Sequence, residues 1–187
     1  AALDAVMIVI TTMGDATTLF LVGIVLTIIR RTRKAGMIFL IALVVIVVLV
    51  MYMKPLIGRE MPPYTFEPAL GLPENFSLEN DSLAPFAAGF GYPSGHASRT
   101  TAFAFIIGFA LYQKSRKASY AIWAFPVIVG ITRLYFMQHF PTDIIGGFIF
   151  GGMVSVVLAN AMKLEQPFLM SRIKGKEDKP SQPGGNL

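Results

Sequence analysis

Cysteine is absent from the 187 residues. That excludes disulfides, thiolate catalysis and any Cys-ligated metal site. Charge is sparse: 14% of residues are Asp, Glu, Lys or Arg, against 54% hydrophobic. Histidine occurs twice and tryptophan once. Residues 1–29 lack a basic leading region, and Asp4 and Asp15 interrupt them, so they do not read as a cleaved signal. What the chain does have is oil. Mean hydropathy is +0.61 even with a polar tail from about Pro167. The stretches GMIFLIALVVIVVLVMYM (36–53) and TDIIGGFIFGGMVSVVLANAM (142–162) are long enough for a hydrocarbon core of roughly 30 Å.

By length this is one domain. The expected fold is all-α, a polytopic transmembrane helical bundle of about five spans: 15–29, 36–53, 97–112, 119–137 and 142–162. Residues 3–14 either extend the first span or form a helix lying in the interface, with Gly14-Asp15 as the break; the interfacial reading is preferred. Residues 1–166 form the transmembrane domain. Residues 167–187 are expected to be a disordered cytoplasmic basic tail near anionic lipid. Orientation follows from the basic residues. Twelve of the sixteen follow spans 1, 3 and 5, which assigns those ends and the C-terminus to the cytoplasm. Lys54, Arg59, Arg99 and Arg133 lie at the opposite ends.

The longest connection, 54–96, is expected to cap the outer side without regular structure, and such loops are commonly functional. Its sequons, Asn75-Phe-Ser77 and Asn80-Asp-Ser82, read as chance occurrences of a short motif. Gly147 and Gly151 have a small-xxx-small spacing, which serves packing within the bundle and against a second subunit equally. The oligomeric state is therefore left open.

The chemistry-bearing residues converge on the outer side. Ionisable residues at membrane depth cost about 2.5–3.5 kcal/mol each by insertion scales, so they point to function. A single such cation could snorkel from a helix end. Four on one face beside both histidines are harder to explain that way. In TRLYFMQHFPTD (132–143), Asp143 follows His139 by four residues and can accept from one ring nitrogen, making the other more nucleophilic. The plainer alternative is a helix-capping Asp beside a solvated loop histidine. In PSGHASRT (93–100), Ser94 and Gly95 offer a hydroxyl and a backbone N–H at a helix start, a ready anion site. His96 can protonate a leaving oxygen, and Arg99 adds a donor. Two histidines among cations suit a phosphate better than a metal, which would want carboxylate ligands as well.

PSGH followed by TRxxxxxHxxxD resembles the type 2 phosphatidic acid phosphatase superfamily, whose signature is KxxxxxxRP, then PSGH, then SRxxxxxHxxxD. The resemblance covers 54–143 directly. It implies that His139 is the nucleophile that becomes a phosphohistidine, that Asp143 orients it, and that His96 is the general acid. It further implies that Lys54, Ser94, Gly95 and Arg133 hold the phosphate and that no metal or other cofactor is needed. Two departures stand out: Thr132 replaces the motif serine, and Met61 stands where the first motif has arginine. Arg59, with Arg99 in support, is expected to supply the missing donor.

The implied activity is hydrolysis of a lipid phosphate or diphosphate at the extracytoplasmic face of the plasma membrane. Candidate substrates are an isoprenyl diphosphate, phosphatidic acid or phosphatidylglycerol phosphate, with PSGHASR favouring the first. The expected partners are that substrate and membrane lipids, with no nucleic acid. Alternatives are a lipid phosphotransferase using the same site, and a non-catalytic lipid-phosphate-binding or transport relative in which Met61 marks lost activity.

Overall fold

In the computed structural model, residues 2–63, 84–112 and 114–164 are described. Both sequons, most of the outer loop and the basic tail fall outside them. Seven helices follow in order: α1 Ala2–Met13, α2 Ala16–Ile28, α3 Arg33–Ile57, α4 Gly95–Tyr112, α5 Arg116–Ala121, α6 Ala124–Tyr135 and α7 Pro141–Ala161. A 3-10 turn, Pro85–Ala87, precedes α4. Among the described residues there is no β-strand, only an isolated bridge between Glu60 and Phe90.

The helices form where the apolar runs are long and end where turn chemistry intervenes. Leu, Ile, Val and Met fill α3, and Gly58 ends it in the left-handed region at φ 69°, which a side chain would disfavour. Its Ile38, Phe39, Ala42, Leu43, Ile46 and Val50 form a buried stripe, joined in the core by Leu19, Ala102, Ile106 and Ile107. This is a stripe at helical spacing facing protein, while Val44, Val48, Leu49 and Tyr52 stay exposed on the other side. In water such a surface would be a liability; facing lipid it is the expected exterior.

Among the described residues, three segments are long and apolar enough to cross a membrane: α3, the Arg116–Tyr135 stretch of α5 and α6, and α7. The pair α1 and α2, bent by 54° at Gly14-Asp15, has the character of one broken span or a re-entrant loop. Instead of lying apart, α1 leans on α6, where Tyr135 Oη donates to Asp4 Oδ1 at 2.6 Å. The sequence places a span at α4, and a helix is there. Its first seven residues, however, are Gly, His, Ala, Ser, Arg, Thr and Thr, every one buried. Protein surrounds this half of α4, so it has no lipid-facing surface to make apolar.

The most extensive helix contact is between α4 and α7. Gly147 and Gly151 lie on this seam. A Cβ at Gly151 would strike the Ser98 carbonyl oxygen, and one at Gly147 would come within 2.7 Å of Ser94 O and Ala97 Cβ. Their spacing therefore serves packing within the chain. At one end of the bundle Lys34 Nζ donates to Lys163 O at 2.9 Å, joining the basic start of α3 to the end of α7. The functional side chains collect at the other end.

Candidate active site

Three turns meet at that end: the α1–α2 elbow, the chain between α3 and α4, and the α6–α7 turn. The second is clipped to itself, with Met61 N donating to Gly89 O at 3.0 Å and Gly91 N to Arg59 O at 2.8 Å. It is tied to the third where Ser94 N donates to Asp143 O, also at 3.0 Å. A Cβ on Gly91 would lie 3.0 Å from Asp143 Oδ2, so the clip runs directly over that carboxylate.

His139 is buried in the α6–α7 turn with Nδ1 3.6 Å from Asp143 Oδ2. The same carboxylate oxygen accepts from Phe140 N at 2.9 Å, capping α7, and Pro141 opens that helix where a missing N–H does no harm. The capping role is thus real, but the histidine beside it is not a solvated one. With Nδ1 facing the carboxylate, Nε2 carries the lone pair on the far side of the ring.

His96 lies in the first turn of α4, wholly buried. Its Nε2 is 2.7 Å from Asp15 Oδ1 in the α1–α2 elbow, and its Nδ1 is 3.3 Å from Arg99 Nη2. Arg99 Nε also reaches Gly14 O at 3.5 Å. A carboxylate only accepts and a guanidinium only donates. Nε2 therefore bears the hydrogen, and Nδ1 accepts.

The other expected donors lie on the neighbouring helix ends and turns. Arg133, buried near the end of α6, donates to Thr11 Oγ1 at 3.3 Å and to Gln138 Oε1 at 2.5 Å. Lys54 is fully buried in the last turn of α3. Ser94 stands just ahead of α4 with Gly95 as its first residue, and Ala97 N approaches Ser94 Oγ at 3.5 Å. Arg59 is more open, at 38% exposure. Its Nη1 lies 3.2 Å from Asp143 Oδ1 and donates to Thr142 Oγ1 at 2.6 Å, while the guanidinium stacks 4.9 Å over the Phe140 ring. It therefore stands at the rim of the site, holding the carboxylate that faces His139. Met61, at the position of the motif arginine, has no side-chain group that can donate to a phosphate. Thr132 spends its hydroxyl on Val129 O, at 2.7 Å within its own helix.

Together these groups bring two buried imidazoles, each beside a carboxylate, and the guanidinium groups of Arg59 and Arg99 to one end of the bundle. Such an arrangement can bind a phosphoryl group, attack it from one ring and protonate its leaving oxygen from the other. Among the described residues, no group of three or more histidine and carboxylate side chains is arranged to hold a metal ion. Sequence reasoning did not find Asp15, Gly14, Thr11 or Gln138. The available signal was Asp15 itself, a carboxylate within an apolar run.

The chain is similar to several known proteins. The chain aligns with an undecaprenyl-diphosphatase from Sulfolobus acidocaldarius at 29% identity, covering 83% of this chain and 68% of the relative. It aligns with a lipid A 1-phosphatase from Rhizobium etli at 38% identity, covering 42% of this chain and 33% of the relative. An undecaprenyl-diphosphatase from Bacillus subtilis aligns at 25% identity over 47% of this chain and 44% of its own length. The chain thus spans less than half the length of the Rhizobium and Bacillus relatives. The crystal structure of a transmembrane PAP2-type phosphatidylglycerolphosphate phosphatase from Bacillus subtilis superposes with a TM-score of 0.69 at 22% identity, over 90% of this chain and 80% of that one, which establishes the common fold. The family model of the PAP2 superfamily matches residues 33–167, taking in the Lys54, PSGH and Arg-x5-His-x3-Asp segments. This integral membrane protein belongs to the PAP2 superfamily.

Proposed function

We propose that the chain is a lipid phosphatase that hydrolyses a phosphate monoester or diphosphate through a phosphohistidine on His139. The observation that carries this reading is the pair of buried histidines, one 3.6 Å from Asp143 and the other 2.7 Å from Asp15, with Arg59 on the first carboxylate and Arg99 beside the second ring. His139 Nε2 attacks phosphorus while Asp143 faces Nδ1. The bond to the leaving oxygen breaks, and that oxygen takes a proton from His96. Water then attacks the phosphohistidine and gives a proton to His96. Inorganic phosphate leaves, and both rings are restored.

Lys54, Arg99 and Arg133, with the Ser94 hydroxyl and the Gly95 N–H, hold the phosphoryl oxygens; Arg59 stabilises Asp143 and screens the incoming charge at the rim. The reaction drawn this way uses side chains and water alone. An isoprenyl diphosphate is the favoured substrate, supported by the long alignment with the Sulfolobus undecaprenyl-diphosphatase. Phosphatidic acid and phosphatidylglycerol phosphate have the same reacting group. The basic ends of α3 and α7 meet away from the site, which supports an extracytoplasmic face for the chemistry in a plasma membrane and a cytoplasmic C-terminus.

The test is phosphate release by the purified full chain in excess EDTA, comparing an isoprenyl diphosphate of C15 or longer with phosphatidic acid. Release that persists in EDTA and disappears in His139→Ala is expected, with the isoprenyl substrate preferred. Transfer of the label to another lipid instead of water would make the protein a phosphotransferase. Release abolished by EDTA would overturn the mechanism.

A further inference from the structure

The family match begins at residue 33, yet the elbow between α1 and α2 lies against the catalytic ring of α4. Gly14 is buried there, and a Cβ on it would come within 3.1 Å of His96 Cδ2 and 2.8 Å of Val129 Cγ1. The backbone can touch the imidazole only because residue 14 has no side chain. Asp15 follows in the N-cap position of α2, with φ −65° and ψ 149°. An Asp at that position ordinarily accepts from a backbone N–H of its own helix. Here the side chain makes no capping hydrogen bond and reaches His96 Nε2 instead. A helix end has been left uncapped in favour of a contact 81 residues along the chain.

We propose that Asp15 is a positioning residue for His96, making the α1–α2 elbow part of the catalytic machinery. The inference rests on the phosphatase reading above. By holding Nε2–H, Asp15 fixes the ring's tautomer and orientation and leaves Nδ1 as the nitrogen that serves the leaving group. Arg99 Nη2 faces that nitrogen at 3.3 Å. When a phosphoryl group binds, Arg99 turns its N–H to a phosphoryl oxygen, and Nδ1 takes a proton from water. The imidazolium then lies between Asp15 and the departing oxygen. As the phosphorus–oxygen bond breaks, the proton on Nδ1 passes to that oxygen, and the bond from His139 Nε2 to phosphorus forms. The hydrolytic water returns a proton to Nδ1. Throughout, the hydrogen on Nε2 stays on the ring, donated to Asp15.

The test compares two leaving groups and reads the tautomer directly. An isoprenyl monophosphate releases a strongly basic alkoxide that needs a proton. Nitrophenyl phosphate releases a stabilised phenolate that does not. Asp15→Asn is expected to lower kcat on the isoprenyl ester by roughly 10²-fold, with a loss on the aryl ester smaller by about tenfold or more. Asp15→Glu should recover part of the isoprenyl activity. Equal losses on both esters, or no loss on the isoprenyl ester, would overturn the proposal, since a merely structural elbow would not distinguish leaving groups. Independently, nitrogen-15 NMR of His139→Asn protein, in which His96 is the sole histidine, should show the Nε2–H tautomer. Adding Asp15→Asn should remove that preference. An Nδ1–H tautomer with Asp15 intact would refute the assignment whatever the kinetics. Failure of the wild type to release phosphate from any ester would sink the phosphatase reading, and the tautomer would still decide whether Asp15 sets the ring.

Discussion

Between Gly95 and Thr101, α4 carries a histidine, an arginine, a serine and two threonines, all buried. From Ala102 onward the same helix is apolar, with Phe103 edge-on to Phe39 at 5.3 Å and to Phe125 at 5.7 Å. Both halves are packed inside protein, but their partners are of different kinds. In the apolar half, any side chain of the right volume and shape keeps most of the dispersion and transfer energy. In the polar half and the side chains of α6, α7 and the turns around it, groups answer to particular partners at particular distances: His96 to Asp15 and Arg99, Asp143 to Phe140 N and Arg59. A buried polar group deprived of its partner costs about 1–3 kcal/mol, more when charged. Substitutions in the polar half that strand no partner should therefore register chiefly in turnover, those that strand one in stability as well, and those in the apolar half chiefly in stability.

The sharpest separation is expected at His139. His139→Ala removes the attacking nitrogen, and phosphate release should fall by roughly 10³-fold or more. Unfolding monitored by intrinsic fluorescence in detergent should hardly change. A variant that lost activity only by failing to fold would erase the contrast between the two halves.

Arg99 and Arg59 come next, because either could stand in for the arginine absent at Met61. Arg99 is buried beside His96, whereas Arg59 is 38% exposed at the rim. Arg99→Ala is expected to lower kcat/KM on the order of 10²-fold, and Arg59→Ala about tenfold, from loss of donors aimed at developing charge. Since Arg59 pairs with Asp143, part of its effect should pass through His139. Lysine at 59 keeps the charge but not the fork, so it should rescue only partially. Wild-type rates in both alanine variants would mean that neither arginine replaces the motif donor.

Much of this site is readable from the chain because its parts are short-range. Asp143 lies four residues beyond His139, Arg99 three beyond His96, and Ser94 and Gly95 adjoin the helix start they serve. Local spacing sets those contacts before tertiary structure enters. The long apolar runs locate α3, α6 and α7 for the same reason, and Gly14-Asp15 marks the elbow. What periodicity cannot supply is the partner of a residue far along the chain. Asp15 meets His96 only after α1 and α2 have folded back onto α4 and α6, and nothing near residue 15 names that partner. The nature of α4 is also tertiary. Its polar half reads as the weak end of a span until its neighbours are known, and only then is it the centre of the bundle. Likewise nothing near residue 59 names Asp143 and the Phe140 ring as the groups its guanidinium meets.

In the core that the apolar half of α4 shares with α3, Ile46 of α3 is fully buried. Ile46→Val removes one methylene and should cost about 0.5–1.5 kcal/mol of stability. Per folded molecule, kcat and KM should stay at wild-type values. A change in KM with unaltered stability would mean that the apolar half also takes part in recognising the lipid.

The smallest effect is expected at Thr132 of α6, whose hydroxyl is already engaged. Thr132 Oγ1 donates to Val129 O at 2.7 Å, and the residue is wholly buried. Serine can make the same bond, because the hydroxyl sits on the same Cβ and the carbonyl is one turn back on the same helix. Thr132→Ser restores the residue of the family motif and removes only a methyl group, worth up to about 1 kcal/mol if the space stays empty. kcat/KM should change by less than about twofold, since no hydrogen bond to the reacting groups is altered, while the melting temperature falls slightly. A rise of tenfold in turnover would place the hydroxyl of residue 132 on the substrate. Thr132→Val sets the opposite bound: it keeps the volume, loses the bond to Val129 O, and should cost stability before it costs rate. If stability holds and rate falls, the motif hydroxyl belongs with His96 and His139. If rate holds and stability falls, it belongs to the packing of α6, and a residue can sit inside a catalytic motif while serving only the helix that carries it.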